Sequence, residues 1–200
     1  MSKTKIVLST KELGMVTDSE WILTKQRIIQ QVYVLFDSVI ADIDRMILPE
    51  WRHLTEVAPL PPRIFKGENY LGLPYVTLDH PRLFESKNSL TVRTMFWWAN
   101  FVSVTLHAGG IYKERLADKL GELQSSEHGD MFICIHENQW HHHFEPDNFI
   151  LFQNISKKKF EEIKMERDFI KIAYKVNLQQ FNELQEILIK NYQMLAEIMA

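Results

Sequence analysis

A chain of 200 residues is long enough for one sizeable core and short for two, so residues 1–200 read as a single domain. Its 46% hydrophobic and 24% charged residues fall in the ordinary globular range, and 7 glycines with 7 prolines exclude a low-complexity or collagen-like chain. The net charge of −3 argues against a nucleic-acid partner, which calls for a basic stripe, and no run approaches the roughly 18 apolar residues of a membrane span.

One thiol, Cys134, cannot close an internal disulfide, and the first twenty residues lack the apolar stretch of a signal peptide. A cytoplasmic protein is therefore expected. Lys5 to Leu8 reads as a strand or a tail. Thr17-Asp18-Ser19-Glu20 reads as a capping box, with Thr17 as the cap. Apolar residues at Ile28, Val32, Leu35, Val39, Ile43 and Met46, widened by Ile29, Phe36, Ile40 and Ile47, predict a helix from about Ser19 to Met46, about 40 Å long.

Four prolines between Pro49 and Pro62 mark an irregular connection. Arg63 to Lys66 and Leu73 to Leu78 then read as short strands around a turn at Gly67-Glu68-Asn69, with Pro74 at a strand start or on an edge. From Leu90 to Leu106 the alternation is regular. Leu90, Val92, Phe96, Trp98, Val102, Val104 and Leu106 share one parity; Thr91, Arg93, Ser103, Thr105 and His107 share the other. This predicts an antiparallel pair, or one long bent strand, with a polar second face. Trp97 falls on that second face.

Ile111 to Leu123 reads as a short amphipathic helix. Met131 to Ile135 and Phe149 to Phe152 read as buried strands, and Ser156 to about Arg167 as a helix that starts on three lysines. Ile170 to Val176 alternates with Lys171, Ala173 and Lys175, a strand with one wet face. Asn177 caps a last helix with a stripe of Phe181, Leu184, Leu188, Leu195 and Ile198. Helices and strands mix without a βαβ repeat. The expected class is α+β, a mainly antiparallel sheet packed by a long N-terminal helix and a C-terminal helix.

Two residue groups could carry chemistry. His136, His141 and His143, in or beside the loop that runs to Asn148, are the candidate ligands of a divalent transition metal; an extended Trp140–Phe144 would put His141 and His143 on one side. No established metal spacing accompanies them, and the plain reading is a solvated or aromatic-packed run. The second group is the polar sheet face, where Arg93 and His107, joined by Asp79 and Arg82, could hold an anionic ligand. Its plain alternative is a solvated face with an ion pair between Asp79 and an arginine. Ser103, His107 and Asp79 can be written as a nucleophile triad, but Ser103 lacks a nucleophile elbow. Gly67 and Gly72 bracket a stretch without the Lys-Ser/Thr of a phosphate loop. Cys134 reads as a packed small hydrophobe.

The segment Lys66-Gly67-Glu68-Asn69-Tyr70-Leu71-Gly72-Leu73-Pro74-Tyr75-Val76, with Asp79, Pro81-Arg82 and Phe96-Trp97-Trp98, resembles a family of uncharacterised bacterial proteins. The likeness covers about a third of the chain. It implies a bacterial, cytoplasmic protein of similar fold and brings no activity or cofactor. Two readings follow. One is a non-catalytic domain that binds a small molecule or a protein partner; the other is a metal-dependent enzyme on His136, His141 and His143. A homodimer is compatible with either.

Overall fold

The computed structural model describes residues 6–51, 59–84, 87–123 and 129–199. Ser9 caps a short helix, α1 (Thr10–Thr17), through a reciprocal capping box with Glu12. The long helix α2 (Ser19–Met46) follows. Its cap is Asp18, whose carboxylate accepts from the Trp21 amide at 3.0 Å and suits the positive helix end. The cap therefore falls one residue beyond Thr17, whose hydroxyl instead donates back to the Leu13 and Gly14 carbonyls. The buried stripe of α2 is Ile29, Val32, Phe36, Val39 and Ile43. A single turn, α3 (Leu48–Trp51), comes next, and most of the expected irregular connection lies outside the described residues.

Seven strands build one sheet: β1 (Arg63–Tyr70), β2 (Leu73–Phe84), β3 (Ser89–Trp97), β4 (Phe101–Gly109), β5 (Phe132–Cys134), β6 (Phe149–Leu151) and β7 (Phe169–Asn177), in the spatial order β1-β2-β3-β4-β7-β5-β6. Every pair is antiparallel. Helix α4 (Ile111–Glu122) joins β4 to β5, α5 (Lys157–Glu166) joins β6 to β7, and α6 (Leu184–Met199) closes the chain. The fold is α+β, with helices packed on an antiparallel sheet. Among the described residues, no helix is long and apolar enough to cross a membrane.

The first hairpin turns later than its composition suggests. Leu71 and Gly72 both adopt positive φ, at 50° and 84°, and Tyr70 faces Leu73 across a two-residue turn. Gly72 suits that geometry, whereas a leucine there is no turn signal by residue type. Gly67 stays within β1 because the ring of Tyr75, directly across the ladder, lies over its Cα. The hairpin between β3 and β4 turns at Trp98–Asn100 with Trp97 opposite Phe101, so odd residues of β3 still face odd residues of β4. The alternation from Leu90 to Leu106 is thus an antiparallel pair.

Even-numbered positions of β3, β4 and β7 make the helix-facing side. Leu90, Val92, Phe96, Val104, Leu106, Ile170, Ile172 and Val176 join Phe36 and Val39 of α2 and Leu188 and Tyr192 of α6 in one core. Two polar ties lock helices onto this side. Tyr192 Oη and Thr94 Oγ1 lie 2.9 Å apart, both buried, and His80 Nε2 meets Asp44 Oδ1 at 2.8 Å. The other side is covered as well, by the segment from Ile135 to Asn148. Lys171 (1% exposed) and Ala173 (0%) are therefore buried, and the face of β7 expected to be wet is dry except at Lys175.

Gly67→Ala should lower stability by about 1–3 kcal/mol, since the new methyl displaces the Tyr75 ring. Urea unfolding with an unchanged m-value checks this.

Candidate functional site

The covered side of the sheet holds a cavity of about 280 Å³. Its floor follows from strand register. Residues directly opposite in a ladder share a face, so Asp79, Arg93 and Thr105 form one row across β2, β3 and β4. Thr91, His107 and Lys171 form the next row across β3, β4 and β7, and Phe84 faces Ser89 in the third. The roof is Gln139, Trp140 and His142. Trp140 is 65% exposed and stands at the rim.

Side chains from four strands hold the roof. Lys171 Nζ donates to the Gln139 carbonyl at 2.9 Å and the His141 carbonyl at 2.6 Å, and lies 5.3 Å from the Phe149 ring centre. Tyr70 Oη accepts from the amides of His142 (2.6 Å) and His143 (3.1 Å) and faces His143 Nδ1 at 3.2 Å. Arg93 Nη1 donates to His142 Nε2 at 3.0 Å, and His107 Nε2 donates to Gln139 Oε1 at 2.9 Å. Asn148, fully buried, donates to the His143 carbonyl. Phe144 closes the far side among Phe101, Phe132 and Phe149.

Charge in the cavity is unevenly balanced. Arg93 is forked onto Asp79 (Nε to Oδ1 at 2.6 Å, Nη2 to Oδ2 at 2.8 Å), so the ion pair expected of Asp79 forms here. That fork occupies the bidentate geometry an anionic ligand would need. Lys171 is the cation left among the lining residues, and among the described residues no carboxylate is a hydrogen-bond partner of it. Burial pulls its ammonium down to about 8, with the Arg93 charge adding to this. Burial also holds His107 down to about 4 and His142 well below the usual imidazole range. Both rings are neutral at pH 7, His142 with its proton on Nδ1. Thr91 Oγ1 and His107 Nδ1 are buried without a hydrogen bond among the described residues.

Of the four residues expected to bind an anion, Asp79, Arg93 and His107 line this cavity. Arg82 does not. It shares the face of Thr91, but its guanidinium donates to the Pro61 carbonyl at 3.0 Å and lies over Phe84. The covering element is an irregular segment. Sequence reasoning missed Lys171, Tyr70 and Gln139. Only one signal pointed to Lys171, a lone lysine between Ile170 and Ile172. The Ser103 triad does not assemble: His107 is four residues along the same strand, about 13 Å away, and both Asp79 oxygens bind Arg93.

The three candidate metal ligands do come together. The His136 and His141 ring centres are 4.2 Å apart, and those of His141 and His143 are 5.2 Å apart. Three of their nitrogens are engaged elsewhere, however, whereas His141 Nδ1 is buried with no hydrogen-bond partner among the described residues. His136 Nδ1 accepts from the Asn138 amide, His143 Nδ1 meets Tyr70, and His143 Nε2 lies 3.4 Å from Asp147. Among the described residues, no group of three or more His, Cys, Asp or Glu side chains is placed to hold a metal ion. Cys134 is buried against Asn148, and burial pushes its thiol up, as befits a packed hydrophobe. No protein-family model, curated protein or solved structure matches the chain.

The neutral imidazoles set an acid limit. Unfolded histidine gains its proton near pH 6.5, whereas His107 gains it only near 4, so the unfolded state binds more protons in between and stability falls as pH drops through that window. Melting temperatures from pH 7 to 4 should show this decline, and His107→Gln should make it shallower.

Proposed function

We propose that the protein is a non-catalytic binding domain for a small monoanionic molecule, a carboxylate first of all, held in the cavity between the sheet and the 135–148 segment. One observation carries the reading: on the floor of the cavity stands a buried lysine that has no carboxylate partner among the described residues. A lone buried charge is costly unless compensated, and an anion beside Lys171 compensates it. The ammonium has three N–H donors, of which two reach Gln139 and His141. The Thr91 hydroxyl can donate a further hydrogen bond, while Phe84 and Trp140 supply apolar lining.

Calorimetric titration against small monocarboxylates, inorganic phosphate and neutral analogues should single out the carboxylates, with one site per chain. Affinity should fall as pH rises above about 8, where Lys171 loses its proton. Lys171→Met should weaken binding at least tenfold, or about 1.4 kcal/mol, and Lys171→Arg should retain part of it. Equal binding by Lys171→Met, or a flat pH profile, counts against the reading.

The metal-dependent enzyme on His136, His141 and His143 is the second reading. The three adjacent rings and the unpaired His141 Nδ1 favour it, and the engaged nitrogens of His136 and His143 oppose it. Elemental analysis of untagged protein purified without chelator separates the two. A stoichiometric transition metal that disappears in His141→Ala would install the metal reading; its absence is the outcome expected of the binding domain.

A further inference from the structure

The cavity has two chemically different ends, and strand register sets how far apart they lie. Lys171, on β7, is 1% exposed and forms the deep, charged end. Phe84, on β2, and Trp140, in the roof, line the same cavity but are 50% and 65% exposed. Covering these two rings removes apolar surface from water, and the occupant of the cavity is the molecule placed to do it.

A lane of small residues runs between the ends. The third row of the covered face reads Phe84, Ser89, Gly109 and Phe169 across β2, β3, β4 and β7. Its two inner positions carry little bulk: Gly109 has no side chain, and the Ser89 hydroxyl already lies where a Cβ on Gly109 would stand. Phe169 stacks on His107, with ring centres 5.6 Å apart, so its ring is held toward the second row. Lys171 and Phe84 are three strands and one row apart. With strands about 4.8 Å apart and same-face residues about 6.7 Å apart, their Cα atoms are roughly 16 Å from each other. A cavity of about 280 Å³ lined at both ends of that span is slender, the shape of one extended chain and not of a broad ring system.

Given the carboxylate site proposed above, on which this assignment rests, we infer that the ligand is an elongated, straight-chain monocarboxylate. Its carboxylate sits at Lys171, and its alkyl chain lies over Ser89 and Gly109 and emerges between Phe84 and Trp140. A short acid leaves both rings of the mouth uncovered.

Calorimetric titration of the full chain with straight-chain acids from acetate to decanoate, each below its micelle concentration, tests this, with Phe84→Ala and Trp140→Ala beside the wild type. Each added methylene should tighten binding about fourfold until the chain leaves the cavity. Either variant should bind decanoate about tenfold more weakly and acetate as the wild type does. Both rings are at least half exposed, and an unchanged melting temperature would show that the fold survives their truncation. Equal binding of acetate and decanoate overturns the inference and leaves the carboxylate reading standing; failure of every acid to bind overturns both. A chain-length rise that is identical in the two variants, or untouched by Lys171→Met, places the acids on another surface and overturns the inference as well. Tighter binding of naphthoate than of decanoate would replace the chain with a ring system.

Discussion

Lys171 donates to two backbone carbonyls of a segment that has almost no secondary structure of its own, and most of the architecture around the cavity depends on that contact. A lysine in mid-strand, between two isoleucines that face the helical core, has only one direction to point. Leaving it in water would expose the whole second face of a seven-stranded sheet. The chain instead lays residues 135–148 across that face and turns the Gln139 and His141 carbonyls onto the ammonium. Burying the charge depresses the lysine's affinity for its proton, and the carbonyls with the Phe149 ring offset part of that cost. With the roof in place, Tyr70, Arg93 and His107 each gain the partner their geometry requires.

The Asp79–Arg93 fork then decides the character of the enclosed space. Because the two charges cancel against each other, the cavity's field comes mainly from Lys171 and from oriented polar groups. The imidazoles contribute shape and hydrogen bonds rather than charge, since burial keeps His107 and His142 neutral. His142 accepts from Arg93 only in that neutral state, so the electrostatics of the floor and the tautomer of the roof support each other. The three outer histidines belong to a different environment. Their rings lie tilted against one another, and the nitrogens of His136 and His143 turn toward Asn138, Tyr70 and Asp147.

Most of the helix-facing half was legible from the chain alone. The α2 stripe and the parity of β3 and β4 obey local periodicities of 3.6 and 2, which side-chain type reports directly. The second half was not legible for a physical reason. Alternation shows that Lys171 and Ala173 lie on a polar side, but it cannot say whether water or another piece of chain covers that side. Nor does residue type reveal that Leu71 takes a left-handed conformation, a shift that extends β1 as far as Tyr70 and brings its hydroxyl to the roof. Asp79 and Arg93 were foreseeable as a pair through their types and a shared face; Gln139, from an irregular segment, had no pattern to announce it. The displaced cap at Asp18 is the same lesson on a smaller scale, because a threonine followed by an aspartate offers two caps one residue apart.

Tyr70 sits at the end of a hairpin, yet its single hydroxyl receives two successive amides of the roof. Those two bonds, with the ones from Arg93, His107 and Lys171, tie the covering segment to β1, β3, β4 and β7, beside the turns and side-chain bonds it makes within itself. Its shape is therefore not only a local property. Transplanting residues 135–148 onto another scaffold would carry the letters and lose the vault, whereas exchanging a side chain on a distant strand, with the segment untouched, would redraw it.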